Sequence, residues 1–159
     1  MFARPLIDAM EFAGNGGGMC GEIPFKELSR LDNLLIDSTG KLAYVIRGER
    51  TNDRGVLYVS LNGVAHLRCQ RCLGGLEYPI EVTSRLKLAS AEELDAVEDE
   101  DEDEYIEASS QLDVIGLVED ELLLSLPFSP KHPDAVCGSV NEGLKQAANP
   151  FAVLVGLKK

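Results

Sequence analysis

The stretch VLYVSLNGVAHLRCQRCLGGLEYPIEVTSRLKLAS, residues 56–90, carries the strongest β-sheet signal in the chain. Its first half contains two β-rich runs, 56–61 and 64–69, on either side of Asn62 and Gly63. An Asn-Gly pair tolerates the positive φ angles of a type I′ turn, and two strand-like runs around such a pair are typical of a hairpin. The sequence therefore predicts a β-hairpin that turns at Asn62-Gly63.

Two further segments alternate apolar and other residues with the two-residue period of a strand. One is 76–90, in which Pro79 favours an edge strand or a bulge because proline has no N–H to donate. The other is 41–50, which alternates in the same way. Together with the hairpin, these segments predict an antiparallel sheet of four or more strands.

Two segments place apolar residues at the three- and four-residue steps of an amphipathic helix. In 24–35, Pro24 suits the first turn of a short helix, and the apolar positions are Phe25, Leu28, Leu31 and Leu35. In 112–127, Pro127 ends the helix, Asp113, Glu119 and Asp120 offer polar positions, and the apolar stripe is Leu112, Ile115, Val118 and Leu122. A sheet with helices packed across it is an α+β fold.

The chain has 159 residues, of which 45% are hydrophobic, which is enough for one domain with a packed core. No window approaches the roughly 20 apolar residues of a transmembrane helix. The N-terminal stretch MFARPLIDAMEFAG lacks the continuous apolar core of a signal peptide. We therefore expect a cytoplasmic protein that does not enter a membrane, in which the four cysteines are thiols or metal ligands rather than disulfides.

The net charge of −12 is concentrated in one segment. Residues 92–104, EELDAVEDEDEDE, contain ten of the 27 acids, and the rest of the chain has 17 acids against 15 bases. Such a run predicts a solvated, disordered acidic loop, because the like charges repel one another. It also suits an arm that docks on a basic partner, or one that keeps RNA phosphates away. The glycine-rich residues 1–20 are expected to form a flexible N-terminal segment.

The pair Cys69 and Cys72, in CQRCLGG, has the C-x-x-C spacing of half a zinc site. A structural zinc needs four ligands, and the other candidates are His132, Cys137, His66 and Cys20. His132 and Cys137 lie five residues apart in a proline-rich loop and are the candidate second pair, so a structural zinc would be held by Cys69, Cys72, His132 and Cys137. The spacing also fits reduced thiols retained for packing. A redox pair is a weaker alternative, because the helical context of a thioredoxin-like motif is not apparent.

The sequence contains no pattern typical of an enzyme. A Ser-His-Asp arrangement is not recognisable, and GNGGG lacks the Lys-Ser/Thr that follows in a phosphate-binding loop. The cysteine pair lies between the end of one predicted strand, at Cys69, and the start of the next, at Leu76, so we expect it on a turn. Arg68 and Arg71 interleave with the cysteines and make this turn positive, which suits contact with phosphate or with the acidic loop as well as plain solvent exposure. We therefore predict a protein that is not an enzyme.

Three segments occur in an order that resembles the YceD family of large ribosomal RNA subunit accumulation proteins. They are CQRCL (69–73), LVEDELLLSLPFSPKH (117–132) with Cys137 behind it, and NPFAVLVGLKK (149–159). The N-terminal PLIDAMEFA and the hairpin segment are similar as well, so the resemblance covers nearly all of 1–159 and implies a single YceD-like domain. It implies a non-enzymatic factor that supports synthesis, processing or stability of 23S ribosomal RNA by binding RNA or a ribosomal or processing protein.

The resemblance also bears on the candidate sites. Some relatives carry a second cysteine pair downstream, where this chain has PKHPDAVC, so His132 and Cys137 would replace that pair. The terminal segment fits a short helix with Asn149 as N-cap, and it also fits a segment presented to a partner. We expect partner contacts at Arg68, Arg71, Phe151 and Lys158. Alternative functions are a zinc-knuckle protein-interaction module without RNA contact, and a nuclease or RNA-modifying enzyme.

Overall fold

The computed structural model of the chain describes residues 3–97, 103–133 and 137. Two 3-10 turns, Phe25–Glu27 and Ser29–Leu31, lie between the second and third strands. The strands and helices, in chain order, are β1 (Leu6–Ile7), α1 (Ala9–Gly14), β2 (Gly18–Pro24), β3 (Lys41–Thr51), β4 (Arg54–Arg68), β5 (Gly75–Ala89), α2 (Ala91–Asp95), β6 (Glu104–Glu107), β7 (Leu112–Asp113) and α3 (Val114–Ser125).

A five-stranded sheet in the order β2-β3-β4-β5-β6 forms the centre of the described structure. Neighbouring strands are antiparallel except β5 and β6, which are parallel. A separate antiparallel pair joins β1 to β7. The strands predicted in 41–50 and 76–90 are present as β3 and β5, and the predicted α+β class with a sheet of four or more strands is confirmed.

The predicted hairpin turn at Asn62-Gly63 is wrong, because β4 continues through both residues. The chain instead reverses at Asn52 and Asp53, whose φ angles of 51° and 61° are those of a type I′ turn between β3 and β4. Gly63 has a different use in the strand. A Cβ there would lie 3.0 Å from the carbonyl oxygen of Lys41, so glycine permits a close approach to β3.

Pro79 lies in the part of β5 that has one neighbouring strand. It is opposite Val64 of β4, whereas β6 pairs only with residues 86–89 of β5. The missing N–H of Pro79 is therefore compatible with an edge position, as the sequence predicted.

The N-terminal region differs from the flexible segment expected for residues 1–20. Within the described residues it forms β1, α1 and the start of β2, and the α1 side chains of Ala9 and Ala13 are buried in the core. Helix α1 approaches β3 so closely at Gly48 that a Cβ there would lie 2.6 Å from the carbonyl oxygen of Phe12 and 2.7 Å from the Cα of Ala13. The small residues on both elements make this contact possible.

We expect Gly48→Ala to lower the free energy of unfolding by up to about 3 kcal/mol, because the added methyl group meets backbone atoms that cannot rotate away. Urea denaturation followed by circular dichroism measures the change. Gly18→Ala is the matched control, since a Cβ at that position meets nothing within 4 Å. Equal stability of the two variants would contradict the close contact between α1 and β3.

The predicted helix in 24–35 is instead the two 3-10 turns. Leu28, with φ −95° and ψ 76°, interrupts a helical path between them. The apolar face itself is as predicted, because Phe25, Leu28, Leu31 and Leu35 are all buried. A spacing of three residues fits the three-residue period of a 3-10 helix as well as one face of an α-helix.

Helix α3 begins two residues later and ends two residues earlier than the predicted 112–127. The side chain of Asp113 caps it by accepting a hydrogen bond from the N–H of Ile115. Ile115, Val118 and Leu122 are buried against the inner face of the sheet, in one cluster with the 3-10 turns. Leu126 then turns the chain into an extended path before Pro127.

Glu119, expected at a polar position of α3, is 2% exposed. Its carboxylate accepts hydrogen bonds from Nη2 of Arg4, at 3.1 Å, and from the N–H of Arg30, at 3.4 Å. A buried carboxylate is tolerated when donors satisfy it. Glu119 therefore joins α3 to the residues before β1 and to the second 3-10 turn.

The acidic run differs at both ends from the predicted loop. Ser90 and Glu93 form a capping box that starts α2, and Glu104 is the first residue of β6. Asp103 pairs with Lys87 and Arg85. The centre of the run, 98–102, and the terminal segment 149–159 lie outside the described residues. None of the helices that the structure describes has the length and apolarity needed to cross a membrane.

Candidate metal centre

The C-x-x-C pair lies on a tight turn between two long strands, as predicted. β4 ends at Arg68 and β5 begins at Gly75. Within the turn, the N–H of Cys69 donates to the carbonyl of Gly74, and the N–H of Leu73 donates to the carbonyl of Cys69. The residue in the left-handed region is Leu73, with φ 61°, rather than either following glycine. This compact turn holds the two sulfur atoms on the same side.

The chain that follows α3 supplies the second half of the site. The N–H of Gln70 donates to the carbonyl of Pro130 at 2.8 Å, and Nη2 of Arg71 donates to the carbonyl of His132 at 2.8 Å. These bonds attach the segment 126–133 to the β4–β5 turn. Helix α3 packs against the sheet, and the segment that follows it places His132 next to the cysteines.

The four candidate ligands predicted from the sequence lie close together in the structure. Sγ of Cys69 lies 3.4 Å from Sγ of Cys137, and Nδ1 of His132 lies 3.4 Å from Sγ of Cys72 and 3.6 Å from Sγ of Cys137. All four ligand atoms are within 4.8 Å of one another. Cys69 and Cys137 are buried, and the other two side chains are partly buried.

These separations fit a tetrahedral zinc ion. Zinc–sulfur bonds of about 2.3 Å and zinc–nitrogen bonds of about 2.0–2.1 Å give a tetrahedron with edges of roughly 3.8 Å between sulfurs and roughly 3.6 Å between sulfur and nitrogen. Three thiolates and one imidazole are a donor set that zinc uses in structural sites. The cluster can therefore hold one metal ion with little rearrangement.

The ring of His132 is oriented for coordination through Nδ1. Its Nε2 lies 2.7 Å from the carbonyl oxygen of Gly75. A carbonyl only accepts, so Nε2 carries the proton and donates, which leaves the Nδ1 lone pair directed at the sulfurs when the ring is neutral. A backbone acceptor on the second ring nitrogen is the usual support for a metal-binding histidine. The contact of Gly75 with His132 could not be predicted from the sequence, because it is made by a backbone carbonyl group that every residue has.

The surroundings of the site favour thiolate at two of the three cysteines. Burial alone would raise the pKa of the Cys69 thiol, but backbone N–H groups of Cys72, His132 and Arg71 outweigh it and lower that pKa to about 5. Burial likewise opposes ionisation of Cys137, whereas the Arg71 guanidinium and His132 lower its pKa. Thiolate is the form that binds metal.

Cys72 and His132 differ from these two thiols. A backbone N–H bond from Gly74 favours the Cys72 thiolate, but burial and the neighbouring sulfurs of Cys137 and Cys69 outweigh it and raise the pKa of Cys72. Contact with Cys137, followed by the carbonyl of Gly75, raises the pKa of His132. A metal ion at these two residues would therefore compete with protons more strongly than at Cys69 and Cys137.

Arg71, one of the residues expected to contact a partner, also contacts residues of the candidate metal centre. It donates to the carbonyl of His132 and favours the Cys137 thiolate. Arg68 is exposed at the end of β4, next to Cys69. Phe151 and Lys158 lie outside the described residues.

The remaining candidate ligands lie elsewhere. Nδ1 of His66 is 3.0 Å from the carboxylate of Asp37, and Cys20 is exposed on β2. Neither belongs to the cluster of four. The two downstream ligands named from the sequence are therefore those that the fold places beside the C-x-x-C pair.

Comparison with known proteins identifies the family. The family model described as "Large ribosomal RNA subunit accumulation protein YceD" matches residues 57–158. The protein of that name from Haemophilus influenzae is 33% identical in an alignment 103 positions long, which covers 58% of this chain and 59% of that relative. No solved structure matches the chain. The family match covers 102 of the 159 residues, including both halves of the metal centre, and the chain belongs to the YceD family.

Proposed function

We propose that this chain is a non-enzymatic cytoplasmic factor that supports the accumulation of large-subunit ribosomal RNA. The family match over residues 57–158 carries the proposal. The YceD relative is named for this role, and we extend it here to synthesis, processing or stability of 23S ribosomal RNA. The chain would act by binding RNA or a protein of ribosome assembly.

The proposed metal is a single structural zinc ion. Four protein ligands complete a tetrahedral coordination sphere, whereas a catalytic zinc keeps one position open for water or substrate. This supports a structural role. The ion would join the β4–β5 turn to the chain after α3, and would hold in place the point from which the segment containing Phe151 and Lys158 continues. We propose that segment, together with Arg68, as further partner contacts.

The ratio of 23S to 16S ribosomal RNA in cells that lack the gene tests the proposed function. We expect the ratio to fall, and a plasmid copy of the wild-type gene to restore it. A plasmid copy with Cys20→Ser is the control and is expected to restore it too, because Cys20 is exposed and outside the cluster. A deletion strain with an unchanged ratio would contradict the proposal.

The second candidate function is a zinc-knuckle module that binds a protein without contacting RNA. It is favoured by two large apolar side chains near the centre, Leu73 at 63% exposure and Phe128 at full exposure. Ultraviolet crosslinking in living cells separates the two functions. RNA recovered on the purified chain supports the first, and a crosslinked protein without RNA supports the second.

A further inference from the structure

Two segments that form most of the candidate metal centre carry a positive net charge in a strongly acidic chain. We define the knuckle surface as residues 68–75 and 126–133. The two segments contain Arg68, Arg71 and Lys131 and no Asp or Glu, although the whole chain has a net charge of −12. A cluster of cations without acids between them is the electrostatic pattern that attracts a phosphate backbone.

The two segments form one continuous surface. The N–H of Gln70 in the first donates to the carbonyl of Pro130 in the second, and Arg71 donates to the carbonyl of His132. Arg71 and Lys131, which are about 60 residues apart in sequence, thereby lie on neighbouring segments.

An exposed aromatic ring accompanies these cations. Phe128 is 105% exposed, and it lies two residues before Pro130, the residue bonded to the turn. At the turn itself Leu73 is 63% exposed. Nucleic-acid bases stack on such aromatic rings, and a neighbouring cation contacts the backbone of the same strand.

The charge of the metal centre does not remove this pattern. A zinc ion held by three thiolates and a neutral histidine would give the centre one net negative charge. The guanidinium of Arg71, which favours the Cys137 thiolate and donates to His132, is placed to balance it. Arg68 and Lys131 are exposed and remain for phosphate groups.

We propose that the knuckle surface binds single-stranded RNA, with Phe128 stacking on a base and with Arg68 and Lys131 contacting phosphates. The partner is single-stranded because a base must leave the helical stack before it can lie on the Phe128 ring. This inference rests on the proposed function and adds to it the class of partner and the surface that contacts it.

Fluorescence anisotropy with a labelled single-stranded RNA of mixed sequence, about 12 nucleotides long, tests the inference on the full-length chain purified with zinc. We expect binding that weakens between about 50 mM and about 200 mM salt. Phe128→Ala should weaken binding at least about fivefold, the loss of one stacked base. Lys131→Gln should make the slope of log K against log salt shallower by about 0.7, the loss of one phosphate contact.

Two control variants remove the same kinds of side chain, one apolar and one cationic, at exposed positions outside the knuckle surface. Leu124→Ala removes an apolar side chain that is 79% exposed on α3, and Lys26→Gln removes an exposed cation on the first 3-10 turn. Both should bind as the wild type does. A duplex of the same length should bind more weakly than the single strand.

Two results would overturn the inference: no binding of the single strand at about 50 mM salt, or equal affinities for wild type, Phe128→Ala and Lys131→Gln. The ratio of ribosomal RNAs in the deletion strain is measured independently of both results. If that ratio still falls, the proposed function stands and only the RNA-binding surface is rejected. If the ratio is unchanged while the RNA binds as expected, the surface stands and the proposed function fails.

Discussion

Cys69→Ser is expected to release the metal and to lower the free energy of unfolding by at least about 4 kcal/mol, the contribution of a ligand present at 1,000 times its dissociation constant. Cys69 is buried and lies 3.4 Å from the sulfur of Cys137, so its loss leaves two sulfurs and one imidazole for the ion. A zinc ion would bind the native cluster and not the dispersed residues of the unfolded chain. Its binding free energy would therefore be part of the stability of the fold.

Urea denaturation with and without a chelator separates the metal from the packing of the side chain. We expect the chelator to lower the stability of the wild type and of Cys20→Ser towards that of Cys69→Ser, and to leave Cys69→Ser unchanged. A chelator that lowers the stability of the wild type and of Cys69→Ser by the same amount would contradict a role of Cys69 as ligand. A wild type that is insensitive to the chelator would contradict a stabilising metal.

Phe25→Ala is expected to lower the free energy of unfolding by about 3–5 kcal/mol. Phe25 is 1% exposed in the first 3-10 turn and belongs to the cluster between the inner face of the sheet and α3. Its removal leaves a cavity among tightly packed core side chains, which close it only in part. Urea denaturation monitored by circular dichroism gives the change directly.

Phe128→Ala is the matched control for the same chemical change at an exposed site. Phe128 is 105% exposed, so its substitution should alter the free energy of unfolding by less than about 0.5 kcal/mol. Similar losses in both variants would contradict the assignment of Phe25 to the core. The control also shows whether Phe128→Ala is folded in the RNA-binding experiment.

The long strands could be predicted because alternation over ten or more residues is a strong local signal. β3 and β5 appear where the sequence predicted them. The turn could not be assigned in the same way, since Asn52-Asp53 and Asn62-Gly63 both have suitable chemistry. The choice between them follows from the pairing of β4 with β3 over residues 54–63 and with β5 over residues 56–68, which is a tertiary effect.

The identity of the four candidate ligands could be predicted from the sequence, but their arrangement in space could not. The C-x-x-C spacing and the shortage of other ligands lead to His132 and Cys137. The fold alone shows that the carbonyl of Gly75 orients His132 and that Arg71 faces inward to the centre. The positions of backbone carbonyl groups and the directions of side chains cannot be read from a pattern of residue types.

The number of metal ions bound per chain tests the metal centre most directly. We expect native mass spectrometry of the purified protein to show one zinc ion per chain, and alkylation to reach Cys20 before chelation and all four thiols after it. Cys69→Ser should show no stoichiometric metal. A wild-type chain that carries no metal, and whose four thiols react at once, would contradict the proposed centre.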